Sequence, residues 1–191
     1  MKIFKLHERE FRASVDRVGA LIDTLGSRDD ALWPVHSWPL MLFDGSLRVG
    51  AAGGHGRIGY RVEAYAPRRF IKLRFTEPWG FRGCHSYEVI SEKRNSTLLR
   101  HTLEMRAWGL TMLSWPLVYR PLHDALIEDS LATAEASLGL PPRMRAWSPW
   151  VKFLRFLVSR GNAHSQVTPP IRHATAASGS RRKRDKSVAL V

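Results

Sequence analysis

The chain of 191 residues is poor in features that assign a protein to an enzyme or membrane class at sight. It has a single cysteine, Cys84, which excludes an intrachain disulfide and a metal cluster built on cysteines. Its apolar runs all fall short of the roughly 18 residues that cross a bilayer. The residues after Met1 lack the apolar core of a signal peptide. We therefore expect a cytoplasmic protein.

Motifs for cofactors and nucleophiles are also missing. The Gly-x-Gly-x-x-Gly pattern of dinucleotide enzymes does not occur, and no serine sits in a nucleophile elbow. The glycine-rich GGHG at 53–56 precedes no helix and no Lys-Ser/Thr pair, so it is no phosphate cradle. The histidines at 7, 36, 55, 85, 101 and 123 show no HExxH or i, i+4 spacing. We expect no metal and no cofactor.

Acidic residues are nearly absent from the last quarter of the chain. Residues 1–140 hold 19 Lys/Arg against 16 Asp/Glu, whereas 141–191 hold 11 against Asp185 alone. The net charge of +13 therefore belongs to a tail and does not indicate a domain that binds specific nucleic acid sequences. We divide the chain into a domain (1–140), a basic amphipathic extension (141–160) and a basic tail (161–191). The composition of that tail, rich in Ser, Ala, Pro and Gly, is typical of disorder.

Strand patterns dominate what is present. A first strand at 3–14 is followed by an apolar helical stripe over 15–25 and a second short helical turn before Trp33. Alternating segments joined by short turns then run from about Leu47 to Trp108, and one long helix covers Trp115–Leu138. Connections this short favour antiparallel pairing. The order predicts an α+β protein: a curved antiparallel sheet wrapped around a long C-terminal helix, with two short helices after the first strand. Such an arrangement encloses a cavity.

Five motifs resemble one known group. They are LWP at 32–34, GGHG at 53–56, GCHSYE at 83–88, LRHTLE at 99–104 and RPLHDA at 120–125. Together with the element order, they resemble the START-like, helix-grip superfamily, in particular bacterial SRPBCC proteins labelled polyketide cyclase/dehydrase or lipid-transport-like. The resemblance covers about residues 3–138. It implies the helix-grip fold but no particular activity, because the superfamily mixes carriers, cyclases, receptors and regulators with no shared catalytic set.

The last predicted hairpin offers a candidate acid–base pair. If Glu92 lies opposite Thr97, then Glu88 faces His101 inside the cavity, while His85 faces Glu104 on the solvent side. A carboxylate and an imidazole in an apolar cavity have coupled pKa values and suit a cyclase or dehydratase. The alternatives are a structural pair or a pair that orients a ligand, and a register slip of one residue would reverse the faces.

The remaining cavity wall is predicted to be apolar. Tyr60 is its hydrogen-bond donor, and His55 lies either at the cavity mouth or in an exposed turn. The predicted ligand-binding residues are Tyr60, Val62, Leu73, Phe75, Leu99, Leu103, Met105, Leu122 and Leu126. This wall favours a carrier or sensor of a small hydrophobic, aromatic or lipid-like molecule. The alternative function is a cyclase- or dehydratase-like enzyme that uses Glu88 and His101.

Two interpretations of the extension remain open. As a helix, 150–158 places Trp150, Phe153, Leu154, Leu157 and Val158 along one side, which suits peripheral contact with an anionic membrane, helped by the basic cluster Arg181–Arg184. In the other interpretation the segment packs on the domain and the basic cluster is solvated. We favour packing.

Overall fold

A computed structural model describes residues 1–93 and 96–163, with side chains for 1–90 and 96–158. Its strands form one antiparallel sheet in the order β1-β7-β6-β5-β4-β3-β2, and its helices are α1 to α4. The strands are β1 (Lys2–Phe11), β2 (Leu42–Phe43), β3 (Ala52–His55), β4 (Ile58–Ala66), β5 (Phe70–Glu77), β6 (Phe81–Lys93) and β7 (Ser96–Ala107). The helices are α1 (Val15–Asp23), α2 (Thr111–Ser114), α3 (Arg120–Ser137) and α4 (Pro149–Ala163), with a π-helical turn at Trp115–Tyr119.

The sheet curves because its middle strands are irregular. Strand β4 shifts register against β5 between Gly59 and Tyr60 and again between Val62 and Ala64. Bulges of this kind bend a strand and increase its local twist. The inner face of the bent sheet carries the apolar members of each alternating strand, as the sequence predicts for Ile71 and Leu73. The curvature makes room for the helix that covers this face.

The long helix is continuous from Thr111 to Ser137 but changes geometry near its second proline. In an α-helix the N–H of residue 121 would bond to the Leu117 carbonyl, and Pro121 has no N–H to donate. The helix widens there into the π-helical turn, and the Leu117 carbonyl accepts the indole N–H of Trp150 instead, at 2.8 Å. Downstream of this turn, α3 buries Leu126, Ile127 and Leu131 against the sheet.

The segment between α1 and β2 differs from the prediction. Residues 24–41 form a series of turns rather than a second short helix. The Asp30 carboxylate organises these turns by accepting hydrogen bonds from the backbone N–H groups of Gly26, Leu32 and Trp33. The carboxylate satisfies locally the backbone donors that a helix would have paired, as Asp does in turns. The strand pattern that the sequence predicts from about Leu47 begins later in the structure, because residues 47–51 form no strand and β3 begins at Ala52.

The extension packs on the domain. Within α4, Val151 and Leu154 are buried, and the Trp147 indole donates to the Asp129 carboxylate of α3 at 2.9 Å. The packing alternative is thus confirmed for residues 147–158. The predicted disorder of 161–191 concerns mostly residues beyond those described, and so does the Arg181–Arg184 cluster. No helix of the described chain is both long and apolar enough to cross a bilayer.

Candidate functional site: a cavity between the sheet and the long helix

A cavity of about 360 Å³ lies between the inner face of the sheet and the long helix. Its volume is at the lower end of the range for small-molecule sites. Most of the wall is apolar or aromatic, and five imidazole or phenol groups interrupt it: His55, Tyr60, His85, Tyr119 and His123. The apolar wall includes Trp33, Trp38, Ile58, Phe75, Phe81, Leu103, Trp115, Val118, Leu122, Leu126 and Ile127.

The mouth of the cavity is marked by lining residues that are also exposed. Gly56 and Arg57 belong to the turn between β3 and β4, and Leu157 and Val158 belong to the end of α4. Because α4 contributes two of these four residues, the extension is part of the cavity and not only an appendage. The domain (1–140) and the extension (141–160) that the sequence analysis distinguishes therefore contribute to the same cavity.

His55 and Tyr60 form a satisfied pair in the cavity wall. The His55 Nε2 lies 2.9 Å from the Tyr60 hydroxyl, and the imidazole packs on the Trp33 ring with centroids 4.7 Å apart. Burial lowers the pKa of His55 to about 3, and burial raises the pKa of Tyr60 well above its usual value. Both groups are therefore neutral at pH 7. Of the two positions predicted for His55, the structure selects the cavity.

His85 and His101 form a second buried pair, across β6 and β7. Their Nδ1 and Nε2 atoms are 3.1 Å apart, so one imidazole donates to the other. Burial lowers the pKa of each well below its usual value. The outer nitrogens of the pair, His85 Nε2 and His101 Nδ1, have no hydrogen-bond partner in the described part of the chain. His85 is also one of the residues that line the cavity.

His123 is held by its neighbour in the sequence. Its Nδ1 lies 3.2 Å from the Asp124 Oδ1. A carboxylate only accepts hydrogen bonds, so Nδ1 carries the proton and Nε2 presents a lone pair. That Nε2 is buried, finds no partner among the described residues and belongs to a residue of the cavity wall. Burial lowers the pKa of His123 despite the opposing effect of Asp124. His123 is thus a neutral imidazole with a fixed tautomer in the wall of the cavity.

One group of residues has the spacing of a metal site. The ligand atoms of His7, His123 and Asp124 lie within 4.8 Å of one another. These atoms already bond to each other, and the Lys5 ammonium takes the second Asp124 oxygen at 2.9 Å. A nearby ammonium opposes binding of a dication. The arrangement is explained as a hydrogen-bond network that orients His123.

The predicted Glu88–His101 pair does not form. The hairpin is shifted by one residue, so Glu88 lies opposite Arg100, and Tyr87 lies opposite His101. Glu88 is exposed, whereas His101 is fully buried. The predicted faces of β7 are correct, but those of β6 are reversed. A side-chain period of two makes this reversal the direct consequence of a slip by one.

The predicted apolar wall divides into two sets. Tyr60, Phe75, Leu103, Leu122 and Leu126 line the cavity. Val62, Leu73, Leu99 and Met105 are buried in the two hydrophobic clusters and are not among the lining residues. Contact of any of these residues with a ligand stays a prediction.

Sequence reasoning missed His85 and His123 as cavity residues. In the sequence, His123 could have been recognised from the adjacent Asp124 on a helix that faces the sheet. His85 could have been placed in the cavity only with the correct register of the last hairpin, which was predicted one residue out. Asp129 of α3 is buried outside the cavity lining and accepts the indole N–H groups of Trp38 and Trp147 at 2.8 and 2.9 Å.

Comparison with known proteins gives structural neighbours only. No protein-family model matches the chain, and no curated protein matches it. CalU16 from Micromonospora echinospora superposes with a TM-score of 0.52 at 16% identity, covering 84% of this chain and 86% of that one. A protein from Thermobifida fusca gives 0.55 at 14% identity, covering 74% of this chain and 99% of that one.

Norcoclaurine synthase from Thalictrum flavum, solved in complex with dopamine and hydroxybenzaldehyde, is a further neighbour. It gives a TM-score of 0.55 at 16% identity and covers 73% of this chain and 88% of that one. At such identities the likeness shows the fold alone. The α+β helix-grip fold expected from the sequence is thereby confirmed.

Proposed function

We propose that this helix-grip protein binds one small, largely apolar molecule, aromatic or lipid-like, in the cavity under α3 and acts as its carrier or sensor. The observation that carries the proposal is that two residues of a largely apolar wall, His85 and His123, each have an Nε2 atom without a hydrogen-bond partner among the described residues. A buried polar atom without a partner costs about 1–3 kcal/mol. A ligand that pairs with it recovers this free energy.

The tautomer of His123 defines one property of the ligand. Because Nδ1 donates to Asp124, Nε2 accepts, and the ligand must present a hydroxyl or N–H group there. Rings on the wall, such as Trp33, Phe75 and Trp115, suit an aromatic body. Dopamine and hydroxybenzaldehyde, bound by the structural neighbour norcoclaurine synthase, combine a ring with hydroxyl groups, which makes this ligand class reasonable for the shared fold.

The first test is native mass spectrometry of the purified protein, followed by organic extraction. A co-purifying apolar molecule with a donor group supports the proposal. A bound molecule without any donor group contradicts the role of His123.

A matched pair of probes tests the same point without the natural ligand. We expect 2-naphthol to bind about 5- to 100-fold more tightly than 2-methoxynaphthalene, because only the naphthol donates to His123. In His123→Leu this preference disappears, whereas in the control His36→Leu, an exposed histidine, it persists. Leu126→Trp fills the cavity and abolishes binding of both probes. Equal affinity of the wild-type protein for both probes, or binding that survives Leu126→Trp, contradicts the proposal.

A second candidate function rests on the same imidazole. A neutral His123, oriented by Asp124 and free at Nε2, is equipped to act as a general base on a bound molecule. This acid–base enzyme replaces the Glu88/His101 version, which the register rules out.

A generic proton-abstraction substrate tests the base. With 5-nitrobenzisoxazole, His123 Nε2 would take the ring C–H proton while the N–O bond breaks, giving a nitrile and a phenolate that absorbs visible light. We expect turnover that is lost in His123→Leu and kept in His36→Leu. Its rate should fall at low pH only as His123 becomes protonated, below the ordinary histidine pKa of 6.5. Turnover no faster than free imidazole at equal concentration, or unchanged in His123→Leu, would overturn the enzyme candidate.

A further inference from the structure

An exposed apolar surface runs along one side of the molecule and reaches the cavity mouth. We call it the apolar collar and define it as Trp79, Leu110, Leu113, Leu117, Trp150, Phe153 and Leu157. Scattered exposed apolar residues are ordinary on proteins, but a continuous set is typical of an interaction site. The collar goes beyond the ligand-binding proposal, because it concerns what the protein contacts from outside.

The first half of the collar follows the start of the long helix. Leu110, Leu113 and Leu117 are spaced i, i+3 and i+7, so they form one stripe. Leu110 is 84% exposed and Leu113 is 67% exposed. Trp79 extends the stripe at its beginning: it is 69% exposed and lies next to Gly109, 3.3 Å from where a β-carbon would be.

The second half is the outer face of α4. Trp150, Phe153 and Leu157 share one exposed face of this helix by the same spacing, next to the face that buries Val151 and Leu154. The α4 helix is therefore apolar on two sides, of which the domain covers one. The two halves of the collar are joined directly, since the Trp150 indole donates to the Leu117 carbonyl at 2.8 Å. The Trp150 and Phe153 rings stack with centroids 5.4 Å apart.

Basic residues predominate around the collar, where the exposed Glu77 lies two residues before Trp79. Residues 105–123 and 136–163, which supply most of it, contain no Asp and no Glu. Lys152 is exposed on α4, and Arg120 follows the Leu117 stripe in the sequence. Arg82 lies over the Trp108 ring, which itself stacks on Trp79. Apolar side chains, tryptophans and a mainly basic rim are what an anionic bilayer surface binds.

The collar also touches the cavity mouth. Leu157 belongs both to the collar and to the cavity lining, together with its neighbour Val158. A bilayer docked on the collar would therefore lie against the opening through which an apolar ligand enters. We propose that the apolar collar docks this protein on an anionic lipid surface, with α4 lying in the interface and the cavity mouth facing the lipid.

Vesicle co-sedimentation of the full chain tests this proposal. The probe is phosphatidylcholine vesicles with a minority of phosphatidylglycerol, compared with pure phosphatidylcholine vesicles at low and high salt. We expect binding to the anionic vesicles that weakens with salt. Leu113→Glu and Phe153→Glu should each lower partition at least about tenfold, because each removes a side chain whose burial is worth that much.

Matched controls make the result specific. Phe4→Glu changes an equally exposed apolar residue, 65% accessible on β1 and outside the collar, and should leave binding unchanged. Lys152→Glu should lower binding to anionic vesicles roughly tenfold at low salt. A full-length chain with Arg181, Arg182, Lys183 and Arg184 replaced by glutamine separates the tail from the collar.

Three outcomes overturn the proposal. They are binding that is lost with the tail substitutions yet unaffected by Leu113→Glu and Phe153→Glu, equal losses with Phe4→Glu, and no binding of the wild-type chain. Sedimentation velocity without vesicles tests whether the collar binds a second copy of the chain instead of lipid. A dimer that Leu113→Glu and Phe153→Glu dissociate would assign the collar to a second copy of the chain and reject the lipid.

Discussion

Two groups of polar side chains meet around α3 and differ in how completely they are paired. The outer network consists of His7, Arg9, Glu128, Glu135 and Arg143. The inner histidines are His55, His85, His101 and His123. His7 lies at the boundary, with its ring centroid 5.7 Å from that of His123 and 6.3 Å from that of His101.

In the outer network every charged group has a partner of opposite charge. Arg9 bonds to Glu128 at 2.8 Å and to Glu135 at 3.1 Å, and Arg143 bonds to Glu135 at 2.5 Å. His7 donates to Asp124 and Glu128. Burial disfavours a charged His7, but the hydrogen bonds to these two carboxylates outweigh it and raise its pKa. This network ties β1 and residue 143 to α3.

The inner histidines are neutral, and three of their nitrogens find no partner in the described residues. Histidine therefore has two different roles in this protein. Which role a given histidine has depends on whether carboxylates surround its ring. A fully paired imidazole fixes structure, whereas an unpaired one that faces a cavity is available for a ligand. This contrast is the basis for assigning function to the inner group, and three experiments test it.

The largest expected effect concerns the outer network. Glu135 is 3% exposed and holds two arginines, so Glu135→Leu leaves the largely buried Arg9 short of one partner. We expect a loss of about 3 kcal/mol in the free energy of unfolding, measured with urea. The control Glu8→Gln breaks the half-exposed pair with Arg100 and should cost at most about 1 kcal/mol. Equal losses for the two variants would show that the outer network is not a structural tie.

The next experiment uses pH, because the two groups should respond with opposite signs. The folded-state pKa of His7 is raised, so its stabilising contribution is present below the ordinary value of 6.5. That contribution is lost as pH rises through the raised folded-state pKa. The folded-state pKa of His85 is lowered, so the folded state loses stability as pH falls below 6.5. For one proton the slope is at most about 1.4 kcal/mol per pH unit.

Urea unfolding of His7→Gln and His85→Gln across this range checks both signs. The destabilisation by His7→Gln should be larger below pH 6.5 than above the raised pKa. The variant His85→Gln should lose less stability on acidification than the wild-type protein. If the two variants show the same pH dependence, the division between charged and neutral histidines fails.

The sequence predicted more of the fold than of the site. Alternation in β4, β5 and β7 and the long helix are properties of single segments, which local pattern determines. The second short helix failed because the Asp30 side chain bonds three backbone N–H groups, a contact that hydrophobic spacing does not reveal. The cavity was expected from the element order, and its five correctly placed lining residues follow from that order.

The candidate site failed at the hairpin register. Whether Glu88 or Tyr87 faces His101 depends on how residues near 92–97 turn, and a slip by one exchanges the two faces of β6. The buried His85–His101 contact could not be inferred, since it depends on that register. His123 was within reach, because its neighbour Asp124 is visible in the sequence and the helix that carries both was correctly predicted.

The smallest expected effect comes from a variant that asks whether a polar group in the cavity wall can bind a ligand when it already has a hydrogen-bond partner in the protein. Tyr60 lines the cavity like His123, but its hydroxyl is already paired with His55 Nε2 at 2.9 Å. Tyr60→Phe removes this bond and should cost about 1 kcal/mol of unfolding free energy. The preference for 2-naphthol over 2-methoxynaphthalene should stay as in the wild-type protein, in contrast to its loss in His123→Leu. If Tyr60→Phe instead removes the preference and leaves stability unchanged, then the Tyr60 hydroxyl holds the ligand, and a hydrogen bond within the protein is no guide to which cavity groups are available.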